Sequence, residues 1–413
     1  MKPVIVFSSD DCPWNELPLS AIATMHARIG WQNLRKSEFR DSGEYLLITG
    51  TDFEQGCIIY STCHYVSFER YEQDKNLQIS EGCILITKDG TLGKVALVSN
   101  LPKPATLNAG VFNVVKTNAE LDNIFLFEYL KSPLLLRYVS NNATGGTIKH
   151  LNQGILVNFP VRFPDLHQQR QLGRFFYSFD EIIISTTSQL SSLKQLKSAC
   201  LISMFPQRGE TIPRIRFKGF QDEWQHKQLY ECLDVSKECN LKGEYCKDDV
   251  LSVSDDYGVM NQIELLGRSY AGKSVANYGV LKTGEIVYTK SPLKSKPYGI
   301  IKQNRGKTGI VSVLYAVYSA KEDICPDFIH YYFDPAWRLN DYLRPLVNKG
   351  AKNTMNISDE MALKGSIMIP KDMEEQRRIA FFFRNLDTQI SLQQQRLEKL
   401  KQIKAACLDK MFV

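Results

Sequence analysis

The sequence predicts an α+β protein in which two mixed α/β domains alternate with two long helices, the second half repeating the first. Three observations support this fold class. Residues 165–205 recur without a gap at 372–412, with 17 of 41 aligned positions identical. Apolar residues in both copies recur at helical spacing, and the segments before each copy share short motifs. Because a repeat of this size governs the whole fold, we interpret the chain as domain, helix, domain, helix.

Both copies of the repeat predict a long helix. Their apolar residues alternate at spacings of four and three, which forms an a/d seam of about four heptads. Thr186 and Gln393 place one polar layer at the same point of each seam. Asp165 and Asp372, each closely preceded by a proline, predict the helix starts as N-caps. The apolar positions are Leu172, Phe176, Phe179, Ile183, Leu190 and Leu193, then Ile379, Phe383, Leu386, Ile390, Leu397 and Leu400.

The short connection after the first helix predicts that the two helices run antiparallel, as a coiled coil. Only residues 206–213 separate that helix from the next globular segment. Such a connection spans at most roughly 29 Å, whereas each long helix is about 60 Å long. The second domain must therefore begin at the far end of the first helix, which gives a pseudo-twofold repeat. We divide the chain into domains 1–163 and 207–370 and helices 164–206 and 371–413.

Composition predicts a cytoplasmic protein without a membrane segment. No run of 18 apolar residues occurs, and Asp10 and Asp11 interrupt the N-terminal segment where a signal sequence would continue. The 10 cysteines form no C-x-x-C pair, so we interpret them as reduced thiols rather than metal ligands. The net charge is +6, and residues 282–307 alone carry that surplus. A basic segment of this kind favours a phosphate-bearing partner.

Short apolar runs bounded by turn residues predict strands in both domains. They lie at 44–49, 57–60, 83–87, 95–98 and 112–115, and at 250–253, 286–289, 299–301 and 309–315. Each domain also has one predicted helix, around 123–139 and 326–343. The segments 82–88 and 284–290 match at an offset of 202 residues, which aligns one strand end in each domain.

No motif in the chain predicts catalysis. The pattern G-x-x-x-x-G-K-S occurs at 267–274, but a phosphate loop needs a buried strand before it and a helix after it. The run before it contains Glu264, and Gly279 and Gly284 leave little room for a helix, so we interpret it as a polar loop before a strand. Methyltransferase motifs are missing, and the histidines have no ligand spacing. We therefore expect a non-catalytic chain without a cofactor or metal of its own.

Loops at equivalent places in the two domains have the chemistry of a DNA interface. Lysine and backbone N–H groups neutralise phosphate, while Asp, Asn, Ser and Thr can read base edges. A solvated turn is the alternative for any single loop, but recurrence in both domains favours DNA. The predicted DNA-binding residues are Lys88, Asp89, Thr91, Lys94, Thr147 and Lys149 in the first domain, and Lys290, Ser291, Lys294, Lys296, Lys349, Lys352, Asn353 and Thr354 in the second.

Three motifs connect the chain to a known family. Both long helices begin Asp-x3-Gln-Arg, both end with shared Leu-Lys-Gln and Met-Phe sequences, and residues 213–224 open the second half. With these motifs the chain resembles the DNA-specificity (S) subunits of type I restriction–modification systems over nearly its whole length. Residues 1–11 lack the opening found at 213. The resemblance implies two target-recognition domains joined by conserved spacer helices, in a subunit that is not itself catalytic.

The resemblance also implies what the chain binds. A family member recognises a bipartite, asymmetric site in double-stranded DNA and docks two methylation (M) subunits that carry S-adenosylmethionine. Restriction (R) subunits that use ATP and Mg can join, so that the system acts in DNA methylation and phage defence. The alternative from the residues alone is a coiled-coil scaffold whose end domains bind protein partners. On the helix motifs we assign partner contacts to Gln169, Arg170, Phe176, Gln376, Arg377 and Phe383.

Overall fold

The structure, a computed structural model, describes residues 14–142, 151–272, 274–349 and 355–412. The chain divides into two compact units. Unit 1 comprises Met1–Gln189 and Gln394–Val413, and unit 2 comprises Leu190–Gln393. Each long helix therefore contributes one segment to unit 1 and the other segment to unit 2. In the described ranges, no helix is both long enough and apolar enough to cross a membrane.

The first half of the chain contains short strands followed by helices. The strands are β1 (Asn15–Pro18), β2 (Ala23–His26), β3 (Tyr45–Ile48), β4 (Phe53–Glu54), β5 (Cys57–Ile58), β6 (His64–Val66), β7 (Gln78–Ile79), β8 (Ile84–Thr87), β9 (Val95–Leu97), β10 (Ala105–Leu107), β11 (Val111–Lys116) and β12 (Pro160–Phe163). The helices are α1 (Leu19–Ile22), α2 (Phe68–Glu72), α3 (Asn123–Lys131), α4 (Pro133–Asn142), α5 (Gln153–Val157) and α6 (Leu166–Ser203).

Among the described residues, the second half begins and ends with the same order of elements but has five α-helices where the first half has six. The strands are β13 (Gln225–Gln228), β14 (Leu233–Val235), β15 (Leu251–Ser254), β16 (Gly258–Asn261), β17 (Gly279–Leu281), β18 (Ile286–Thr289), β19 (Ile300–Gln303), β20 (Gly309–Val311), β21 (Tyr315–Ala320), β22 (Asn348–Lys349), β23 (Met355–Asn356) and β24 (Ser366–Ile369). The helices are α7 (Leu229–Cys232), α8 (Gln262–Leu266), α9 (Pro326–Tyr332), α10 (Ala336–Leu343) and α11 (Met373–Met411).

The repeat is also a repeat of sheet topology. Unit 1 has an antiparallel sheet in the order β2-β11-β8-β9, and unit 2 has the equivalent sheet β14-β21-β18-β19. The pairs β1-β12 and β13-β24 also correspond. Unit 1 adds a sheet β6-β3-β10-β7, in which β3 and β10 are parallel, whereas unit 2 has the separate pairs β15-β16 and β17-β20. The predicted α+β class is confirmed.

Alternation along β8 explains how unit 1 builds two hydrophobic layers. All four residues of β8 are buried. Ile84 and Ile86 pack in the same core as Phe125 of α3, while Leu85 packs in a second core with Leu46 of β3. Successive side chains of a strand point to opposite faces, so an uninterrupted apolar run is required where both faces are covered.

Both long helices begin at their predicted caps. Asp165 Oδ1 accepts the N–H of Gln168 at 3.0 Å, and Asp372 Oδ1 accepts the N–H of Glu374 at 2.8 Å. Each bond satisfies a donor that the first turn of a helix leaves unpaired. The prediction of one continuous helix around 123–139 and another around 326–343 is wrong, because each range contains two helices. Proline disfavours helical geometry in the residue before it, and Pro133 begins α4 while Pro335 precedes α10.

Within each unit, a segment of α6 packs against an oppositely directed segment of α11. In unit 1 the rings of Phe176 and Phe412 lie 5.2 Å apart. Asp180, one turn further along α6, pairs with Lys404, two turns earlier on α11. In unit 2 the rings of Phe205 and Phe383 are stacked with centres 6.0 Å apart. These aromatic pairs join the long helices to the core of each domain.

Candidate nucleic-acid interface

The loop between β8 and β9 presents three of the predicted DNA-binding side chains to solvent. Asp89, Thr91 and Lys94 are exposed. Lys88 is half-buried, with its ammonium 5.4 Å from the ring centre of Phe112. Lys88 therefore lies at the base of the loop, whereas the other three residues form its accessible surface.

Two glycines and one hydroxyl fix the shape of this loop. Gly90 and Gly93 have φ angles of 71° and 72°, a region that side chains with a Cβ rarely adopt. A Cβ at Gly93 would also lie 3.1 Å from Leu136 of α4. The N–H of Lys94 donates to Thr87 Oγ1 at 3.0 Å. The loop is therefore a defined turn closed onto the end of β8.

The equivalent loop between β18 and β19 is more strongly paired. Ser291 and Lys294 are exposed, as predicted for residues that contact DNA. Lys290 is half-buried, and its ammonium lies 2.6 Å from a carboxylate oxygen of Asp359. Lys294 is therefore the most accessible of the predicted lysines in this loop.

The expectation that Lys296 faces solvent is wrong. Its side chain is 4% exposed, and its ammonium lies 2.5 Å from Asp255 Oδ1 and 2.9 Å from the backbone oxygen of Asp334. Burial, followed by repulsion from Lys302, lowers the pKa of Lys296. Lys296 therefore anchors the loop inside unit 2 and does not reach a DNA backbone.

Much of the positive surplus of residues 282–307 is neutralised by acids from other segments. The ion pairs are Lys282–Glu238 (2.6 Å), Lys290–Asp359 (2.6 Å), Lys296–Asp255 (2.5 Å), Lys302–Asp334 (2.7 Å) and Arg305–Asp327 (2.8 Å). Lys294 and Lys307 are exposed. The basic surface is therefore smaller than the sequence window predicts, because the window contains only one of the acids that lie around it.

The second pair of predicted loops falls almost entirely outside the described residues. This applies to Thr147, Lys149, Lys352, Asn353 and Thr354. The backbone of Lys349 lies in β22, which pairs with β23. The assignment of these residues to DNA binding stays a prediction.

Gln169, predicted to contact a partner, is instead buried inside unit 1. Its Oε1 accepts the N–H of Asp122 at 2.7 Å, and its Nε2 donates to the backbone oxygens of Glu120 (2.9 Å) and Pro164 (2.8 Å). Asp122 is the N-cap of α3. Gln169 therefore fastens the start of α6 to the loop that leads into α3.

Gln376 performs the same task in unit 2. Its Oε1 accepts the N–H of Cys325, the N-cap of α9, at 2.9 Å. Its Nε2 donates to the backbone oxygens of Asp323 and Pro370, both at 3.3 Å. The two glutamines are identical because each forms the same hydrogen bonds inside its own unit. The prediction that their amides contact a partner is therefore wrong.

The other predicted partner-binding residues divide into core and surface. Phe176 and Phe383 are 0% exposed and belong to the aromatic contacts between the long helices and the domains. Arg170 and Arg377 are exposed on the first turns of α6 and α11. The prediction that the two phenylalanines contact a partner is therefore wrong, whereas the two arginines stay candidates for partner binding.

A buried ion cluster joins both long helices to the domain in unit 1. Lys404 of α11 lies 2.6 Å from Asp180 of α6 and 3.0 Å from Glu128 of α3. Lys131 of α3 also pairs with both acids. Glu128 is 0% exposed, and burial raises its pKa although both lysines oppose that shift. The cluster balances two carboxylates with two ammonium groups.

Unit 2 contains the corresponding cluster with different domain residues. Lys197 of α6 lies 2.8 Å from Asp387 of α11 and 3.0 Å from Asp334. Although burial opposes the shift, Lys302 and Lys197 hold the pKa of Asp334 well below its usual range. Asp180 with Asp387, and Lys197 with Lys404, are identical pairs at the 207-residue offset. An acid and a lysine that are identical in both copies of the repeat could therefore have predicted these ion clusters from the sequence.

The remaining motifs have no site chemistry in the described part of the chain. Gly267, which begins the phosphate-loop pattern, is the C-cap of α8 with φ 76°. The pattern thus follows a helix, as expected for a polar loop before β17. Over residues 14–142, 151–272, 274–349 and 355–412, no group of three or more His, Cys, Asp or Glu side chains is arranged to hold a metal ion.

Comparison with known proteins shows which proteins this chain resembles. Residues 14–195 match the family model described as the type I restriction modification DNA specificity domain. The type I restriction enzyme MjaVIII specificity subunit of Methanocaldococcus jannaschii is 22% identical over 347 residues, covering 80% of this chain and 78% of that protein. The putative MjaX specificity subunit of the same organism is 22% identical over 365 residues, with coverages of 82% and 80%.

A solved structure shares the fold over the full length of the chain. It is the S subunit of a type I restriction–modification system from M. genitalium, with a TM-score of 0.66 and 14% identity, covering 100% of this chain and 99% of that one. This likeness concerns the fold alone. By the family model over residues 14–195 and by the two curated relatives, the chain is similar to the specificity subunits of type I restriction–modification systems.

Proposed function

We propose that this chain recognises a bipartite, asymmetric DNA site and directs methylation and restriction subunits to it. Each unit reads one half of the site. The observation that carries this proposal is a sheet of the same topology in both units, with a loop at the same strand end but different exposed side chains. The repeated scaffold lets both units bind DNA in the same orientation, and the unmatched side chains let them recognise different base sequences.

The accessible loop residues have the groups that DNA binding requires. Lys94 in unit 1 and Lys294 in unit 2 are exposed ammonium groups suited to phosphate. Asp89, Thr91 and Ser291 offer exposed acceptors and hydroxyl donors suited to base edges. The lysines therefore position the duplex, and the smaller polar groups contribute to sequence preference.

An exposed arginine and aromatic surface on α11 supports partner docking. A cleft of about 420 Å³ in unit 2 is lined by Arg377, Arg378, Phe381 and Arg384 together with acidic residues. Phe381 is 66% exposed. Arginine and aromatic side chains dominate binding energy in protein interfaces. We assign this surface to a methylation subunit. S-adenosylmethionine, ATP and Mg belong to the partner subunits in this proposal.

The two long helices pair as an antiparallel coiled coil and set the spacing between the half-sites. Support comes from the oppositely directed segments of α6 and α11 that pack together inside each unit. Their matched charge pairs, Asp180 with Lys404 and Asp387 with Lys197, favour this direction and alignment.

Methylome sequencing tests the proposal. A host that carries the methylation subunit is sequenced with and without this chain. We expect adenine methylation at one split sequence only when the chain is present. Methylation at the same sites in both hosts, or at a single undivided sequence, would contradict the proposed function.

A further inference from the structure

A short β-hairpin lies beside the predicted DNA loop in each unit. In unit 1 it is β4–β5, and in unit 2 it is β15–β16. Gly56 and Gly258 have φ angles of 84° and 73°. Each hairpin therefore has a left-handed glycine in or beside its turn, although the turn has two residues in unit 1 and three in unit 2.

In unit 1 the hairpin and the DNA loop line the same cleft. Glu54 and Gln55 of the hairpin face a cleft of about 560 Å³ that is also lined by Thr91 and Lys94. The N–H of Leu97 in β9 donates to the backbone oxygen of the glycine that follows Gln55, at 2.9 Å. The hairpin is thus bonded to the strand that the DNA loop leads into.

In unit 2 an ion pair holds the hairpin to the loop. Asp255, at the turn of β15–β16, accepts from the ammonium of Lys296 at 2.5 Å and lies 3.6 Å from Lys302 of β19. Lys296 is two residues from the exposed Lys294. Because Asp255 is turned inward, its neighbours Asp256 and Tyr257 are left on the outer side of the turn.

The outer residues of both turns have base-reading chemistry. Tyr257 is 71% exposed, and Asp256, Glu54 and Gln55 are also exposed. A carboxylate accepts from the amino group of cytosine, a glutamine amide pairs with adenine, and an apolar face contacts the thymine methyl group. Neither turn has a lysine or arginine at these positions. The turns therefore complement the loop lysines in chemistry.

We propose that the hairpin turns, Glu54–Gln55 in unit 1 and Asp256–Tyr257 in unit 2, determine which bases each unit prefers. The neighbouring lysines hold phosphate. This inference rests on the proposed DNA-recognition function and names the residues that give it specificity. Because the two turns differ in length and in their side chains, the two half-sites differ in sequence.

The test uses the full chain assembled with its methylation subunit. In the double variant Asp256→Glu with Tyr257→Gln, the second hairpin receives the side chains of the first. A second variant is Tyr257→Ala, and Tyr230→Ala on α7 is its control, since Tyr230 is 52% exposed outside the hairpin. Affinity is measured on oligonucleotides substituted at each position of both half-sites, at several salt concentrations. Thermal unfolding confirms that every variant is folded.

We expect both hairpin variants to bind the original second half-site roughly 5- to 150-fold more weakly, the range of one lost base contact. Preference at the first half-site and the slope of log affinity against log salt should stay unchanged. Glu54→Gln with Gln55→Ala should weaken preference at the first half-site only. Tyr230→Ala should behave like the unsubstituted protein.

Three results would overturn the inference. If the unsubstituted assembly selects a split site and the hairpin variants keep the same base preferences, the hairpins do not read bases and the proposed function stands. If the variants bind all sequences more weakly with a smaller salt slope, the turns contact phosphate instead. If the unsubstituted assembly selects no sequence, the proposed function itself fails, and this inference fails with it.

Discussion

Lys404→Met is expected to destabilise unit 1 by about 3 kcal/mol. Lys404 is 6% exposed and pairs with Asp180 at 2.6 Å and Glu128 at 3.0 Å. Removal of one partner from a buried ion pair typically costs about 3–5 kcal/mol, because the other charge stays buried without compensation. Lys131 still contacts both acids, so we expect the lower end of that range. Methionine keeps most of the side-chain packing.

The loss should depend on pH with a definite sign. Burial raises the pKa of Glu128 above that of an unfolded chain, and loss of Lys404 raises it further. A carboxyl that binds its proton more tightly in the folded state stabilises that state as the pH falls. Protonation of Glu128 therefore removes the uncompensated charge. The difference between the variant and the unsubstituted protein should therefore shrink as the pH falls.

Hydrogen exchange of α3 and of the end of α11 measures this difference within unit 1. For a unit of this size, about 3 kcal/mol corresponds to a fall in Tm of roughly 6–12 °C. Lys401→Met is the control, since Lys401 is exposed on the same helix, and it should change stability by less than about 0.5 kcal/mol. A loss below about 1 kcal/mol for Lys404→Met, or one that is independent of pH, would refute the reasoning.

Four further changes test the roles of the loop lysines, the long helices and Gln376. Lys294→Ala should weaken binding to matched and mismatched DNA alike and reduce the slope of log affinity against log salt concentration by roughly 0.9. Lys296→Met should instead lower the stability of unit 2. If Lys294→Ala altered the base preference and left the slope unchanged, Lys294 would contact bases and not phosphate. Four residues inserted beside Thr186 add about 6 Å of helix and should change the preferred spacer between half-sites, so an unchanged spacer in site selection would contradict the role of the helices. Gln376→Leu leaves buried backbone groups unpaired and should cost unit 2 about 1–3 kcal/mol; hydrogen exchange of α9 checks this, and unchanged protection there would show that the amide is dispensable.

The internal repeat was sufficient to predict the elements whose causes are local. A side chain three residues from a backbone donor forms a helix cap, so Asp165 predicts the start of α6. Burial on both faces explains the apolar run of β8, which was predicted within one residue. The breaks at Pro133 and Pro335 have a local cause as well, and proline rules could have placed them.

Contacts between distant segments explain what the sequence did not predict. Lys296 and Lys302 appear as free cations in the sequence, but Asp255 and Asp334, more than 30 residues away, neutralise them. Gln169 shows a second difficulty. A residue that is identical in both repeats can form an internal hydrogen bond or contact a partner, and the sequence does not distinguish the two. The hairpin beside each DNA loop was missed because its strands in unit 1 are only two residues long.

Exchange of one domain tests the central claim, that each unit reads one half of a split site. Residues 14–161 are replaced by the corresponding residues of a type I specificity subunit with a known site, and the methylome of the host is sequenced. We expect one half of the split sequence to change to that of the donor, while the other half and the spacer stay the same. A change in both halves together, or in neither, would contradict it.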